Sequence, residues 1–248
     1  MTCRFCNEEK SLVRSHIIPR SFFPKTIDGE GPLQLLTNKD GEYSKKAPIG
    51  IYDKNILCLA CEKNFDSPDN YAHELLIKHR SRLTEIIHER SVIAYNIPEY
   101  DYSTLKRFFI SILWRASVST NSFYNRIRLG MFENTALECL KSSNEIPAES
   151  FSVILSRYDH PLGTVMLDPH PSKVEGINFN RFYLGGYIAH IKTDNRKTPT
   201  PMSEIMMHPG TPLTIIAKNL ETSKEFAVMK KIVHSATKLD KKNELISS

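Results

Sequence analysis

Four of the chain's five cysteines fall into two pairs, Cys3 and Cys6 in "MTCRFC" and Cys58 and Cys61 in "NILCLAC", with two residues inside each pair. That spacing lets both sulfurs of a pair reach one ion, and four thiolates suit the soft, tetrahedral preference of Zn²⁺. One such pair is weak evidence; two, with no competing pair, point to a closed structural site. The other reading is unligated core cysteines. A redox dithiol fits less well, because there are two pairs and neither follows a strand of a parallel unit. A closed four-thiolate site has no open coordination position, so any chemistry must come from what it frames. Cys139, in "ALECLK", falls on an apolar helix position and reads as packing.

Within the 51 residues between the pairs lies His16, in "RSHIIPRSFF". A neutral imidazole, with a reference pKa of about 6.5, can take a proton from water near neutral pH. That water could attack a phosphorus whose charge a divalent cation neutralises. Glu62, directly after Cys61, is a hard oxygen ligand suited to Mg²⁺ or Mn²⁺. Asn55, shortly before the second pair, could hold the other ring nitrogen and so fix the tautomer. Each residue also has a plain structural reading. His16 could be a satisfied core or zinc-ligating histidine, Glu62 an acid favoured in a first helical turn, and Asn55 a turn residue or cap.

Taken together, "CRFC … SHIIPRSFF … NILCLACEKNF" resembles the HNH, or ββα-metal, endonuclease family in its treble-clef form supported by four zinc-binding cysteines, over roughly residues 3–75. The run "ILWRAS" is similar to a segment in poorly characterised bacterial proteins of this kind. The resemblance implies that His16 is the general base, Asn55 the middle asparagine and Glu62 a metal ligand. It implies a metal-dependent endonuclease hydrolysing phosphodiester bonds, in DNA before RNA, in a bacterial defence or mobile-element setting. Its cofactors would be structural Zn²⁺ and catalytic Mg²⁺ or Mn²⁺. Ser15 stands where the family has Asp or a second metal ligand, and a neutral hydroxyl brings no charge. Asp66 or Asp69 could compensate. The alternative that Ser15 favours is a zinc-stabilised nucleic-acid-binding or protein-interaction module without catalysis.

The elements that would position these residues are readable in outline. At 248 residues, 40% hydrophobic and 25% charged, the chain has ordinary globular composition. It has no apolar run near membrane-spanning length and no secretory pattern at its start, so a cytoplasmic address is expected. The net charge of +5 arises beyond residue 100, where 103–128 carries Lys106, Arg107, Arg115, Arg126 and Arg128 and no acid. That run reads either as a solvated face or as a basic surface for DNA.

The expected class is α+β. Residues 1–97 form a zinc-stapled module with its following helix, 98–147 a helical segment, 148–236 a β-rich region of mainly antiparallel sheet, and 237–248 a polar tail. Asp28-Gly29 and Asp40-Gly41 are expected turns. A helix should start at "SPDN", with Leu75, His79, Leu83 and Ile86 on one face. A central core helix should carry "LKRFFISILWRASVS", with further helical pieces at "SFYNRIRLG" and "ENTALECLKSS". After Pro147, β-branched and aromatic runs alternate with turn residues. Phe179, Phe182 and Tyr183 are expected to be exposed there, able to stack on bases or bind a protein partner. "YLGGY" does not make a nucleotide fingerprint.

Overall fold

The computed structural model describes residues 1–23, 34–35, 45–46, 50–79, 82–160, 166–223 and 226. The two expected Asp-Gly turns, most of the expected strand "FAVMKKIVHS" and the polar tail lie outside them. The architecture is α+β, with an N-terminal cysteine cluster, a helical middle and a mainly antiparallel sheet.

The organising element is the helix Tyr102–Val118, here α3. Asp101 caps it by accepting from the Thr104 backbone N–H at 2.9 Å and its hydroxyl at 2.6 Å. Thirteen of its seventeen residues are buried, as its all-round apolar pattern predicts. Phe108 stacks on Phe22 at 5.2 Å and meets Phe109 edge-on, anchoring the chain just past His16 to the core. Before α3 come α1 (Leu59–Lys63), α2 (Asp66–His73) and a wide turn over Glu74–Lys78. After it comes α4 (Phe132–Lys141), in which Cys139 is half-buried.

Two short strands, β1 (Ser15–His16) and β4 (Tyr52–Asp53), pair antiparallel near the N-terminus, and β2 (Gln34–Leu35) pairs with β3 (Lys45–Lys46). The main sheet has seven strands. In chain order these are β5 (Thr84–His88), β6 (Ser91–Ile97), β7 (Val153–Tyr158), β8 (His170–Val174), β9 (Ile177–Leu184), β10 (Tyr187–Lys192) and β11 (Leu213–Lys218). Their spatial order is β5-β6-β11-β7-β10-β9-β8, and β11 with β7 is the parallel pair. One face, carrying Leu155, Phe182, Ala189 and Ile215, joins the α3 core.

Several expectations are corrected. The helix expected at "SPDN" is α2, starting one residue earlier at Asp66 with Phe65 rather than Ser67 at its N-cap; a separate short helix, α1, precedes it at the second cysteine pair, and the helical run ends by Lys78. Of Leu83 and Ile86, placed on a helix face by their spacing, Ile86 lies in β5 of a β-hairpin and Leu83 just precedes that strand. The hairpin turn at Glu89 and Arg90 has φ of +47° and +67°, the geometry that matches strand twist. Pairing of β6 with β11 draws residues 84–97 into the same sheet as the later strands. The "SFYNRIRLG" segment holds only a short 3₁₀ turn, Ser122–Tyr124.

The aromatics expected to be exposed are buried: Phe179 and Phe182 at 0% and Tyr183 at 3% exposure. Phe182 faces the main core. Phe179 and Tyr183 sit on the other face, in two smaller apolar clusters, so they form no stacking platform. The basic stretch is split: Lys106 and Arg115 are buried and Arg107 half-buried, while Arg126 and Arg128 are exposed. Lys106 donates to the Ala148 and Phe151 carbonyls at 3.1 and 3.0 Å. Arg107 donates to the carbonyls of Cys139 and Asn144 at the end of α4. Among the described residues, no helix is long and apolar enough to cross a membrane.

Burial pulls the Lys106 ammonium down to about 7, with Lys192 adding to the effect and Cys139 and Glu149 opposing it. Above that value the unfolded chain binds the extra proton, so stability rises with pH until the ordinary lysine range is reached. Relative to Lys106→Met, wild type should gain on the order of 3 kcal/mol in urea unfolding between about pH 7 and pH 10.

Candidate metal centre and flanking site

The four paired cysteines converge. Their Sγ atoms all lie within 4.8 Å of one another, with Cys3, Cys58 and Cys61 buried and Cys6 partly so. The first pair folds as a tight knuckle that returns through Asn7 at φ +60°. It docks through the Arg4 N–H on the Ile56 carbonyl at 2.8 Å, and the Cys58 N–H reaches Cys3 Sγ at 3.4 Å. Cys58 is also the N-cap of α1, which puts Cys61 one turn in and back towards the cluster. Burial alone would raise the Cys3 thiol, but backbone N–H groups of Cys6, Cys58 and Phe5 bring it down to about 7. Cys61 is pushed up by burial and by the surrounding thiols. The thiolate is favoured at Cys3 and disfavoured at Cys61, a conflict that a divalent cation bound by all four sulfurs would remove. The donor set fits Zn²⁺, and it forms a metal-binding module.

The centre closes a loop that carries β1 and β4 on it. Register sets His16 opposite Tyr52 and Ser15 opposite Asp53, so strand alternation sends these two pairs to opposite faces. On the outer face the His16 ring meets the Tyr52 ring edge-on at 6.1 Å. Arg14 lies 5.4 Å and Lys54 6.0 Å from the centre of that same Tyr52 ring. Gly50, at φ +78°, passes the chain close beneath His16 in a conformation that other residues resist.

The inner face is polar and enclosed. Ser15 is fully buried, and neither its Oγ nor Glu62 Oε2 has a well-formed hydrogen bond among the described residues. Burial pushes the Glu62 carboxyl up; the Ser15 hydroxyl, Arg115 and His16 oppose this, and Asp69 adds to it. Asp69 is likewise raised by burial and pulled back by Arg115. Two guanidinium bonds, at 3.0 and 2.7 Å, mark Asp69 as a carboxylate. Arg115, expected as part of a basic face, is instead fully buried. It directs five hydrogen bonds to Asp69, the Ser111 carbonyl and hydroxyl, and the His16 carbonyl at 2.7 Å.

Of the residues singled out in sequence, Glu62 and His16 are thus electrostatic neighbours. Asn55 is placed elsewhere: it is exposed, its N–H donates to Asp53 Oδ1 at 2.8 Å, and its amide reaches the Thr120 hydroxyl at 3.4 Å. Asp53 was not anticipated. Burial would raise it, but donors from Asn55, Ser119 and Thr120 hold the carboxyl below the usual range and lock β4 to the end of α3. The only sequence sign was the turn-forming "DKN". Arg115 and Tyr52 were also missed as site residues, since nothing local distinguishes a buried arginine or a surface tyrosine.

The purified protein should carry one zinc per chain by metal analysis. Cys58→Ser should lose it and lower the melting temperature by about 10 °C or more, because structural zinc contributes folding free energy outright. No family model, curated protein or solved structure matches the chain, so the buried four-cysteine metal-binding module is what its own geometry establishes.

Proposed function

We propose that the chain is a zinc-stabilised nucleic-acid-binding module whose contact surface is the outer face of β1 and β4. The observation that carries this reading is Tyr52, flanked by the cations of Arg14 and Lys54 and edged by His16. Arg14 and Lys54 are both exposed, and neither has an acidic partner among the described residues. Cations supply phosphate contacts and an aromatic ring supplies a stacking face, the combination that unpaired strands use. The zinc centre holds this small ladder rigid where two-residue strands alone would not persist.

A second reading, metal-dependent phosphodiester hydrolysis, is supported by the buried, under-bonded Ser15 Oγ and Glu62 Oε2 beside His16. Glu62, with Ser15, would hold Mg²⁺ or Mn²⁺, which would neutralise phosphate charge; His16 would take the proton from water. Three features favour binding over cleavage. Ser15 and His16 lie on opposite faces of the ladder, Asp69 is committed to Arg115, and Asn55 hydrogen-bonds away from His16.

By fluorescence anisotropy, single-stranded DNA should bind with an affinity that falls with salt. Arg14→Glu and Lys54→Glu should each weaken it and lower the salt slope by about 1. An unchanged slope in both variants would exclude this surface. On supercoiled plasmid and single strands with Mg²⁺ or Mn²⁺, the cleavage reading requires nicking that His16→Ala abolishes at unchanged zinc content. Binding without nicking leaves the module reading alone.

A further inference from the structure

The exposed end of the basic stretch, Arg126 and Arg128, sits on a segment docked directly against β4. Asp53 accepts from the Ser119 hydroxyl at 2.8 Å and from the Thr120 N–H at 2.6 Å. One residue further, the Asn121 side chain bridges the two parts. Its amide donates to the Tyr52 carbonyl at 3.2 Å, and its oxygen accepts from the Phe123 N–H at 3.0 Å, capping the 3₁₀ turn. Arg126 follows five residues after Asn121, so their backbones stand no more than about 17 Å apart. From Arg126 onward burial alternates: Ile127 and Leu129 are buried, Arg126 and Arg128 exposed. The two arginines therefore leave the same side of the chain, no more than about 7 Å apart at the backbone. Arg128 places Nη1 on the Ile127 carbonyl at 2.9 Å and has no acidic partner among the described residues. Arg126 stands 3.7 Å from the buried Asp168 carboxylate, beyond hydrogen-bond range, and keeps its side chain 40% exposed.

We infer that this segment extends the Tyr52 surface into a track for an unpaired nucleic-acid strand, with Arg126 and Arg128 holding phosphates beyond the nucleotide at Tyr52. The inference rests on the proposed Tyr52 surface and adds its direction and its length. Arg14, Lys54, Arg126 and Arg128 are all exposed, and among the described residues only Arg126 has a carboxylate within reach. Positive charge repeated along a line fits a polyanion whose charges also repeat along a line. Tyr52 narrows the class further, because an unpaired strand offers it an open base face and a duplex does not. The track is preorganised. Tyr124, Ile127 and Leu129 are buried and pin the segment from beneath, so binding orders the arginine side chains and leaves the backbone in place.

The test is fluorescence anisotropy of the zinc-loaded protein with labelled deoxythymidylates of three and eight nucleotides and with a GC-rich duplex of twelve base pairs. The eight-nucleotide strand should bind more tightly than the shorter strand and than the duplex. Arg128→Glu, with zinc content and circular dichroism unchanged, should weaken the eight-nucleotide strand about fivefold or more at about 0.1 M salt and lower its salt slope by about 1. It should also remove most of the gain that the longer strand shows over the shorter one. Weakening by Lys54→Glu with no effect of Arg128→Glu would overturn the track and leave the Tyr52 surface standing. No effect of either variant would remove both. Weakening by Arg128→Glu alone would break the continuity with Tyr52 on which the track depends. Duplex binding as tight as that of the strand would overturn the unpaired strand as its occupant.

Discussion

Arg115 joins three parts of the molecule that are far apart in sequence. It leaves the core helix, grips the Asp69 carboxylate on the helix after the second cysteine pair, and donates to the carbonyl of His16 on the strand after the first. A buried ion pair gains little net stability from its charges, because desolvation offsets most of the attraction. Removing either partner is different, since it strands a charge in the interior. The value of this arrangement is therefore geometric: one bond to β1 and two to α2 fix how those elements lie against α3, and two bonds to Ser111 steady the side chain. The four-cysteine cluster closes the loop on one side, and Arg115 fixes it from below.

This division of labour shapes the electrostatics of the N-terminal region. Negative groups, Glu62 and Asp69, are drawn inward around Arg115, and Asp53 is buried by its own set of donors. The cations left at the surface, Arg14 and Lys54, gather around Tyr52 without carboxylates among the described residues to neutralise them. A chain balanced in charge over its first hundred residues can thus present a locally positive, aromatic face. Sorting by burial, more than net charge, creates the surface on which the functional reading rests.

The sheet serves the site indirectly. Its inner face buries α3 from one side, which allows that helix to be apolar around most of its circumference and still carry Lys106, Arg107 and Arg115 inward. Each of these cations meets backbone carbonyls, and Arg115 a carboxylate as well. Interior positions for three basic residues on one helix are tolerable only with such partners.

Sequence alone determined the metal centre, because two pairs with matched spacing and soft ligands admit few other uses, and the local spacing survives any tertiary context. It also determined the central helix, apolar around most of its circumference, and most of the late strands, whose β-branched and aromatic runs are bounded by turn residues, though not β8. Leu83 and Ile86 satisfy a helical period and read as helix, but Thr84–His88 is a strand because it pairs with β6, which in turn pairs with β11. Which arginine is buried, which acid faces it and which aromatics see solvent were decided by tertiary structure. These depend on partners supplied by distant segments, and charge and hydrophobicity read along the chain do not contain that pairing. The same holds for His16. Its position beside Tyr52 follows from the register of two-residue strands within the loop that the cysteine cluster closes.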